Sequence, residues 1–515
     1  MPLPSIVACT PTANDVTPAA DEPNLQKRTM MEQNISGPGH VPPSAIWSRR
    51  RADYASLVAG QREYFHSGAT RPVEWRRQQL EALKALLEEN RARFFATLHQ
   101  DLRRNDVDSD LMDVGFCIKE AEYALRHMHH WVKAEHEPTP LLLKPGHVRV
   151  RRDPLGVTLI IGPWNEPLML TFGPLAPALA AGNTAVIKPS EMCAATSALI
   201  AELVPRYMDT SAVAVVEGAV PETTALLEQQ WDLIFFTGSP QVGKIVHQAA
   251  AKHLTPTVLE LGGKSPTIVH PSADIKTAAR RIAYGRFTNA GQICTAPDHA
   301  LVWPEVKDEL VADLVQAVHD FYGEDPQQSP DYGRIINRKA TERLARLLDS
   351  GAAVVGGHAD IDDLYIAPTV LVDVAWDSPI MQEEVFGPIL PVLEVDSAQD
   401  VIKWVNGNPH PLGLYIFAED DDITDQILSM TESGDAVVND CTLHPLVPEL
   451  PFGGVGNSGM GKYHGHWGFE AFTNARGVLY HSPRIDPGVR YPPYSGHRRE
   501  RALESKLRQG SKGAT

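Results

Sequence analysis

Cys294 closes the run Phe287-Thr288-Asn289-Ala290-Gly291-Gln292-Ile293-Cys294, a Gly-Gln loop after the helical stretch Ala278 to Tyr284. A thiol becomes a nucleophile only when it is reachable and can shed its proton. The same residue type is otherwise a small buried hydrophobe, and on the loop alone both readings stay open. Glu260 lies between apolar neighbours in Leu259-Glu260-Leu261-Gly262-Gly263-Lys264-Ser265-Pro266. A carboxylate stripped of water has a raised pKa, which suits a general base working near neutrality. The competing reading is a strand-end ion pair, with Lys264 as candidate partner. Asn165, in Gly162-Pro163-Trp164-Asn165-Glu166-Pro167, follows the apolar run Val157 to Ile161. An amide there can donate to a developing oxyanion, or simply hold a turn between two prolines.

Three further segments place polar groups at strand ends. Phe236-Thr237-Gly238-Ser239-Pro240-Gln241-Val242-Gly243-Lys244 joins a strand to a helix, and Gly238 and Gly243 would let backbone amides approach a phosphate. Its spacing is not that of the G-x-G-x-x-G fingerprint. Lys188-Pro189-Ser190-Glu191 and Glu383-Glu384-Val385-Phe386-Gly387-Pro388 set charge beside turn formers, as ribose-binding groups or as plain surface turns.

The elements that would carry these groups alternate. Leu80, Leu83, Leu86 and Leu87 recur at helical spacing among polar residues. Compact apolar runs at Val157–Ile161, Thr184–Ile187, Ala212–Val216 and Leu233–Phe236 read as buried strands, with helical stretches such as Ala194 to Met208 between them. Such alternation implies a parallel sheet with crossover helices. A second series begins near Thr257, with strands expected at Ala300–Val302 and Ile389–Val395. Val148-Arg149-Val150-Arg151 alternates as a half-exposed strand does.

The 515 residues include 43% hydrophobic and 22% charged, ordinary globular material for several domains. A net charge of -17 argues against nucleic acid as a partner. Five scattered cysteines and no paired spacing fit a reducing, cytoplasmic setting and no metal site. No apolar run reaches the roughly 18 residues of a spanning helix, so no transmembrane anchor is expected.

Taken in order, P-W-N, K-P-S-E, F-T-G-S, E-L-G-G-K-S-P, G-Q-x-C, E-E-V-F-G-P and P-F-G-G-V-G-N-S-G-M-G resemble the motif set of the aldehyde dehydrogenase superfamily over about residues 50 to 483. Thr70-Arg71-Pro72 and Tyr463-His464-Gly465 are similar to its class 3 branch of fatty and aromatic aldehyde dehydrogenases. The resemblance implies an α/β fold with a Rossmann-like cofactor domain, an α/β catalytic domain and a small β bridging element. On this sequence the cofactor domain would take 46–138 and 153–256, and the catalytic domain 257–438. The bridging, oligomerising element would take 139–152 and 439–483, between a disordered leader at 1–45 and a polar basic tail at 484–515.

The resemblance also implies roles. Cys294 is the nucleophile, Glu260 the base, and Asn165 with the Cys294 amide the oxyanion hole. Lys188 and Glu191 would hold the adenosine ribose, Gly238 and Ser239 the pyrophosphate with Gly243 in the same turn, and Glu384 and Phe386 the nicotinamide ribose and ring. Glu191 favours NAD, with NADP possible. A homodimer oxidising medium- or long-chain or aromatic aldehydes is the expectation. Its rivals are a CoA-acylating enzyme, which has no use for a base at 260, and a non-enzymatic protein of the same fold. Three departures from the branch stand out: Glu166 where Tyr is usual at the tunnel entrance, Pro240 in the glycine turn, and His299 where Tyr is common.

Overall fold

The computed structural model describes residues 51–486, 491–492 and 504–505; the expected leader at 1–45 and most of the expected basic tail lie outside them. Two sheets form the frame. The first has six strands in the order Gly459–Met460, Thr257–Leu261, Leu233–Gly238, Val157–Ile161, Thr184–Lys188, Val213–Val215, parallel except for the first. Its strands are buried on both faces, as parallel sheets covered by crossover helices must be. Period-2 geometry divides their side chains: Ile160, Ile187 and Phe235 enter one core, while Leu159, Val186, Ile234 and Phe236 enter the other.

The helix expected from leucine spacing spans Val73–Glu89 and buries Leu80, Leu83, Leu86 and Leu87 completely. It packs with the helix Met169–Ala181, whose residues are all buried. That central helix follows the Pro-Trp-Asn turn and so fixes where Asn165 stands.

The second sheet has seven strands and its own core, with His299–Val302 between Ile389–Glu394 and Pro266–Val269. The half-exposed strand read from Val148–Arg151 is His147–Pro154. It pairs antiparallel with Glu135–Glu137 on one side and Thr473–Tyr480 on the other. Two segments depart from the expected division. Thr257–Leu261 pairs with Leu233–Gly238, so the change of sheet falls after Leu261 and not at 257. Gly459–Met460 also joins the first sheet and not a bridging element. Local pattern marks a strand but not its neighbour, because pairing is decided by crossover geometry.

Candidate active site

The loop before Cys294 is held in an uncommon backbone. After the helix Ile275–Phe287, Asn289 and Ala290 take φ of 52° and 51°, left-handed values that cost energy in non-glycine residues. Side chains hold the loop there. Asn289 Nδ2 donates to the carbonyls of Asn165 (3.1 Å) and Gln292 (3.2 Å), and Gln292 Nε2 donates to Asn289 (3.0 Å) and Arg334 (2.9 Å). The result is a half-buried thiol at Cys294. Burial, and then the Glu166, Glu384 and Glu260 carboxyls, push it well above the ordinary thiol value.

Glu260 is 3% exposed near the end of Thr257–Leu261. Neither of its oxygens makes a hydrogen bond among the described residues, and burial pushes its carboxyl well up, against the opposing pull of Lys462. The ion pair considered with Lys264 does not form, since Lys264 turns instead to Asp298 and to the carbonyls of Ile380 (2.8 Å) and Glu383 (2.9 Å). Glycine is required beside Glu260: Gly453 has φ of 156°, and a Cβ there would come within 2.8 Å of Glu260 Oε1.

Asn165 is anchored through its own carbonyl, which accepts from Arg104 Nη2 as well as from Asn289. Arg104 is fully buried and paired with Asp113. Asp113 Oδ1 accepts the amides of Leu168 and Met169, both at 2.8 Å, just where the central helix begins. A π-helical turn at Asp110–Val114 aims Asp113 inward. Asp113→Ala leaves Arg104 as an uncompensated buried charge and should cost about 3–5 kcal/mol. The urea midpoint of the purified chain should fall accordingly; an unchanged midpoint contradicts this account of the anchor.

Cys294, Glu260 and Asn165 line one cleft of about 710 Å³ together with Gly238, Ser239, Glu384 and Phe386. Ser239 caps the helix Pro240–Ala251, where unpaired amides favour an anion. Glu384 is pushed up to about 8, chiefly by burial. Lys188 and Glu191 pair with each other at 3.1 Å and do not line the cleft. Gly243 is also apart: it lies inside the helix, not in the turn, and lacks the Cβ that would come within 2.7 Å of Leu261. Pro240 is the first helical residue, where a missing N–H costs nothing. Cys294 also opens on a second, narrow cavity walled by Leu111, Met112, Met169, Leu443 and Phe452, with Glu166 among them.

Residues 44–478 match the aldehyde dehydrogenase family. The chain belongs to that family. It is 46% identical over 451 residues to human aldehyde dehydrogenase family 3 member B1, covering 87% of this chain and 96% of the relative. The 4,4'-diaponeurosporen-aldehyde dehydrogenase of Staphylococcus aureus is 43% identical over 84% of this chain and 95% of its own length. The dimeric NADP-preferring aldehyde dehydrogenase of Mus musculus is 44% identical over 86% and 98%. A solved structure of Staphylococcus aureus AldH in a substrate-bound state superposes with a TM-score of 0.86 at 41% identity, over 88% of this chain and 99% of that one.

Two of the departures from the dehydrogenase pattern change meaning in three dimensions. Glu166 is 5% exposed and sits beside Asn165, whose Nδ2 donates to its Oε2 at 3.3 Å, in the cavity that Cys294 also lines. Arg104, a cation that faces it, is taken by Asp113, Asn165 and Asn289. His299 lies behind the nucleophile loop, its Nε2 accepting from Trp404 Nε1 at 2.9 Å, and burial keeps it neutral. The sequence gives no sign of the roles of Arg104 and Asp113. Arg104 follows another arginine in a polar stretch, and no local signal marks it as buried.

Proposed function

We propose that this dehydrogenase oxidises an aldehyde to its carboxylic acid through a covalent thioester on Cys294. The observation that carries the proposal is that one cleft is lined by a thiol, a desolvated carboxylate and an anchored amide. The Cys294 thiol gives up its proton to water as sulfur adds to the aldehyde carbon, and the oxygen that becomes an anion is held by Asn165 Nδ2 and the Cys294 amide. Preorganised donors in a water-poor site favour this charge more than water does. A nicotinamide dinucleotide held by Gly238, Ser239, Glu384 and Phe386 would supply the acceptor for the hydrogen that leaves carbon with its electron pair. Glu260 takes a proton from water, which attacks the thioester and releases the acid.

The cleft's donor set suits that cofactor. Glu384 offers a carboxyl group for ribose hydroxyls, the helix behind Ser239 offers amides for the pyrophosphate, and Phe386 offers an aromatic face. Outside the cleft, Lys188 and Glu191 at the end of Thr184–Lys188 are proposed for the adenosine ribose. The Glu191 carboxylate disfavours a 2'-phosphate, so NAD is proposed as first choice with NADP accepted. The apolar second cavity supports medium- or long-chain or aromatic aldehydes. The outer strand Thr473–Tyr480, with Leu479 and Tyr480 exposed, supports a homodimer formed along that edge. Among the described residues no helix is long and apolar enough to cross a membrane, and the four cysteines are free, which suits the proposed cytoplasmic setting.

Products from a panel of short, long and aromatic aldehydes, assayed with NAD or NADP and with or without CoA, test the proposal. Free acid should form without CoA, faster with NAD and with the longer or aromatic substrates. Obligatory acyl-CoA formation would overturn the hydrolytic role of Glu260.

A further inference from the structure

We propose that Glu166, as a neutral carboxylic acid, gives a second side-chain hydrogen bond to the oxyanion that Asn165 holds. The inference rests on the reaction proposed above and adds a group to it.

The geometry comes first. Glu166 lines the same cavity as Cys294, and its Oε2 lies 3.3 Å from Asn165 Nδ2. The Asn165 amide donates to Oε2, so the proton of the neutral acid belongs on Oε1, on a carboxyl that touches the Asn165 amide and shares a cavity with Cys294. A carboxyl can donate only while it keeps its proton.

Its surroundings see to that. Glu166 is 5% exposed, and the charged or titratable groups facing it come from four elements. Asp113 reaches it from the π-helical turn, Arg104 from the segment before that turn, Cys294 from the nucleophile loop, and Tyr463 from the segment after Gly459–Met460. Arg104 is the single cation among them and is already bound to Asp113, Asn165 and Asn289. Burial, reinforced by Asp113, therefore outweighs the pull of Arg104 and lifts the Glu166 carboxyl to about 8. A buried carboxylic acid held neutral at pH 7 is a known kind of oxyanion donor.

The sign of the pH effect follows. Below about 8 the proton is present and the donor is available. Above it, Glu166 carries a negative charge beside the forming anion and competes for the Asn165 amide. Addition of the thiolate is then opposed twice.

The experiment compares kcat/KM over pH 6–10 for the full-length wild type, Glu166→Gln and Glu166→Leu, with thermal unfolding measured for each. Gln keeps a donor of similar reach and cannot ionise; Leu keeps neither property. The wild type should lose kcat/KM as pH rises through about 8, and Glu166→Gln should lack that decline. At pH 7 Glu166→Leu should be lower by about tenfold or more, with Glu166→Gln recovering most of the loss. An alkaline decline that persists in Glu166→Gln overturns the proposal. So does a folded Glu166→Leu enzyme within threefold of wild type at pH 7. Should the Leu variant not fold, the Gln profile alone decides. Acid formation by the wild type depends on Cys294 and Glu260, so a fault in the broader reading shows there, and a fault in this one shows only in the variants.

Discussion

Cys294→Ala is expected to lower aldehyde oxidation by a factor on the order of 10⁴ or more while leaving cofactor binding in place. Among the described residues no other thiol can stand in for it. Cys117, Cys193 and Cys441 are buried and line neither cavity, and Cys193 Sγ is held at 2.9 Å from the Trp164 carbonyl. The Cys294 side chain also makes no ion pair that the fold would miss, so the variant should remain folded. Steady-state rates and quenching of tryptophan fluorescence by NAD, with Trp164 in the cleft wall, measure the two effects separately. Turnover within tenfold of wild type would remove Cys294 from the reaction.

The second large effect is expected from Glu260→Gln, and its form matters more than its size. Acylation needs the thiol, the oxyanion donors and the acceptor; only hydrolysis needs the base. Rapid mixing should therefore show about one equivalent of reduced cofactor per site. Steady turnover should then be slower by roughly 10²–10⁴, the usual contribution of a positioned base. The side chain is suited to such a separation. Its oxygens make no hydrogen bond among the described residues, and burial makes the carboxylate a stronger proton acceptor than an exposed one. Loss of the burst together with the steady rate would mean that Glu260 also serves acylation, and unchanged turnover would mean that it serves neither step.

Much of this frame is legible in the residues. Four leucines at helical spacing define one face of Val73–Glu89, and unbroken apolar runs define strands buried on both sides. The expected site residues divide. Cys294, Glu260, Asn165, Gly238, Ser239, Glu384 and Phe386 converge on one cleft, whereas Gly243 supports packing and Lys188 with Glu191 stands apart.

What could not be read is the long-range pairing of buried charge. Arg104 meets the Asn165 carbonyl across 61 positions and Asn289 across 185, and nothing in a polar stretch names such partners. The π-helical turn at Asp110–Val114 is equally silent, because its extra residue alters direction and not composition. Glu166 shows the same limit from the other side. Its identity is plain in the sequence, but its depth beside the oxyanion donor is set by how the turn docks on Arg104.

The most direct test of covalent catalysis at Cys294 is the mass of the protein caught part-way. Glu260→Gln should be mixed with aldehyde and NAD, quenched in acid, and its peptides mapped. The expected result is an acyl group on the peptide carrying Cys294, adding the substrate's mass less two hydrogens and removable by hydroxylamine. Acid formation with no adduct, or an adduct on any other residue, would contradict it.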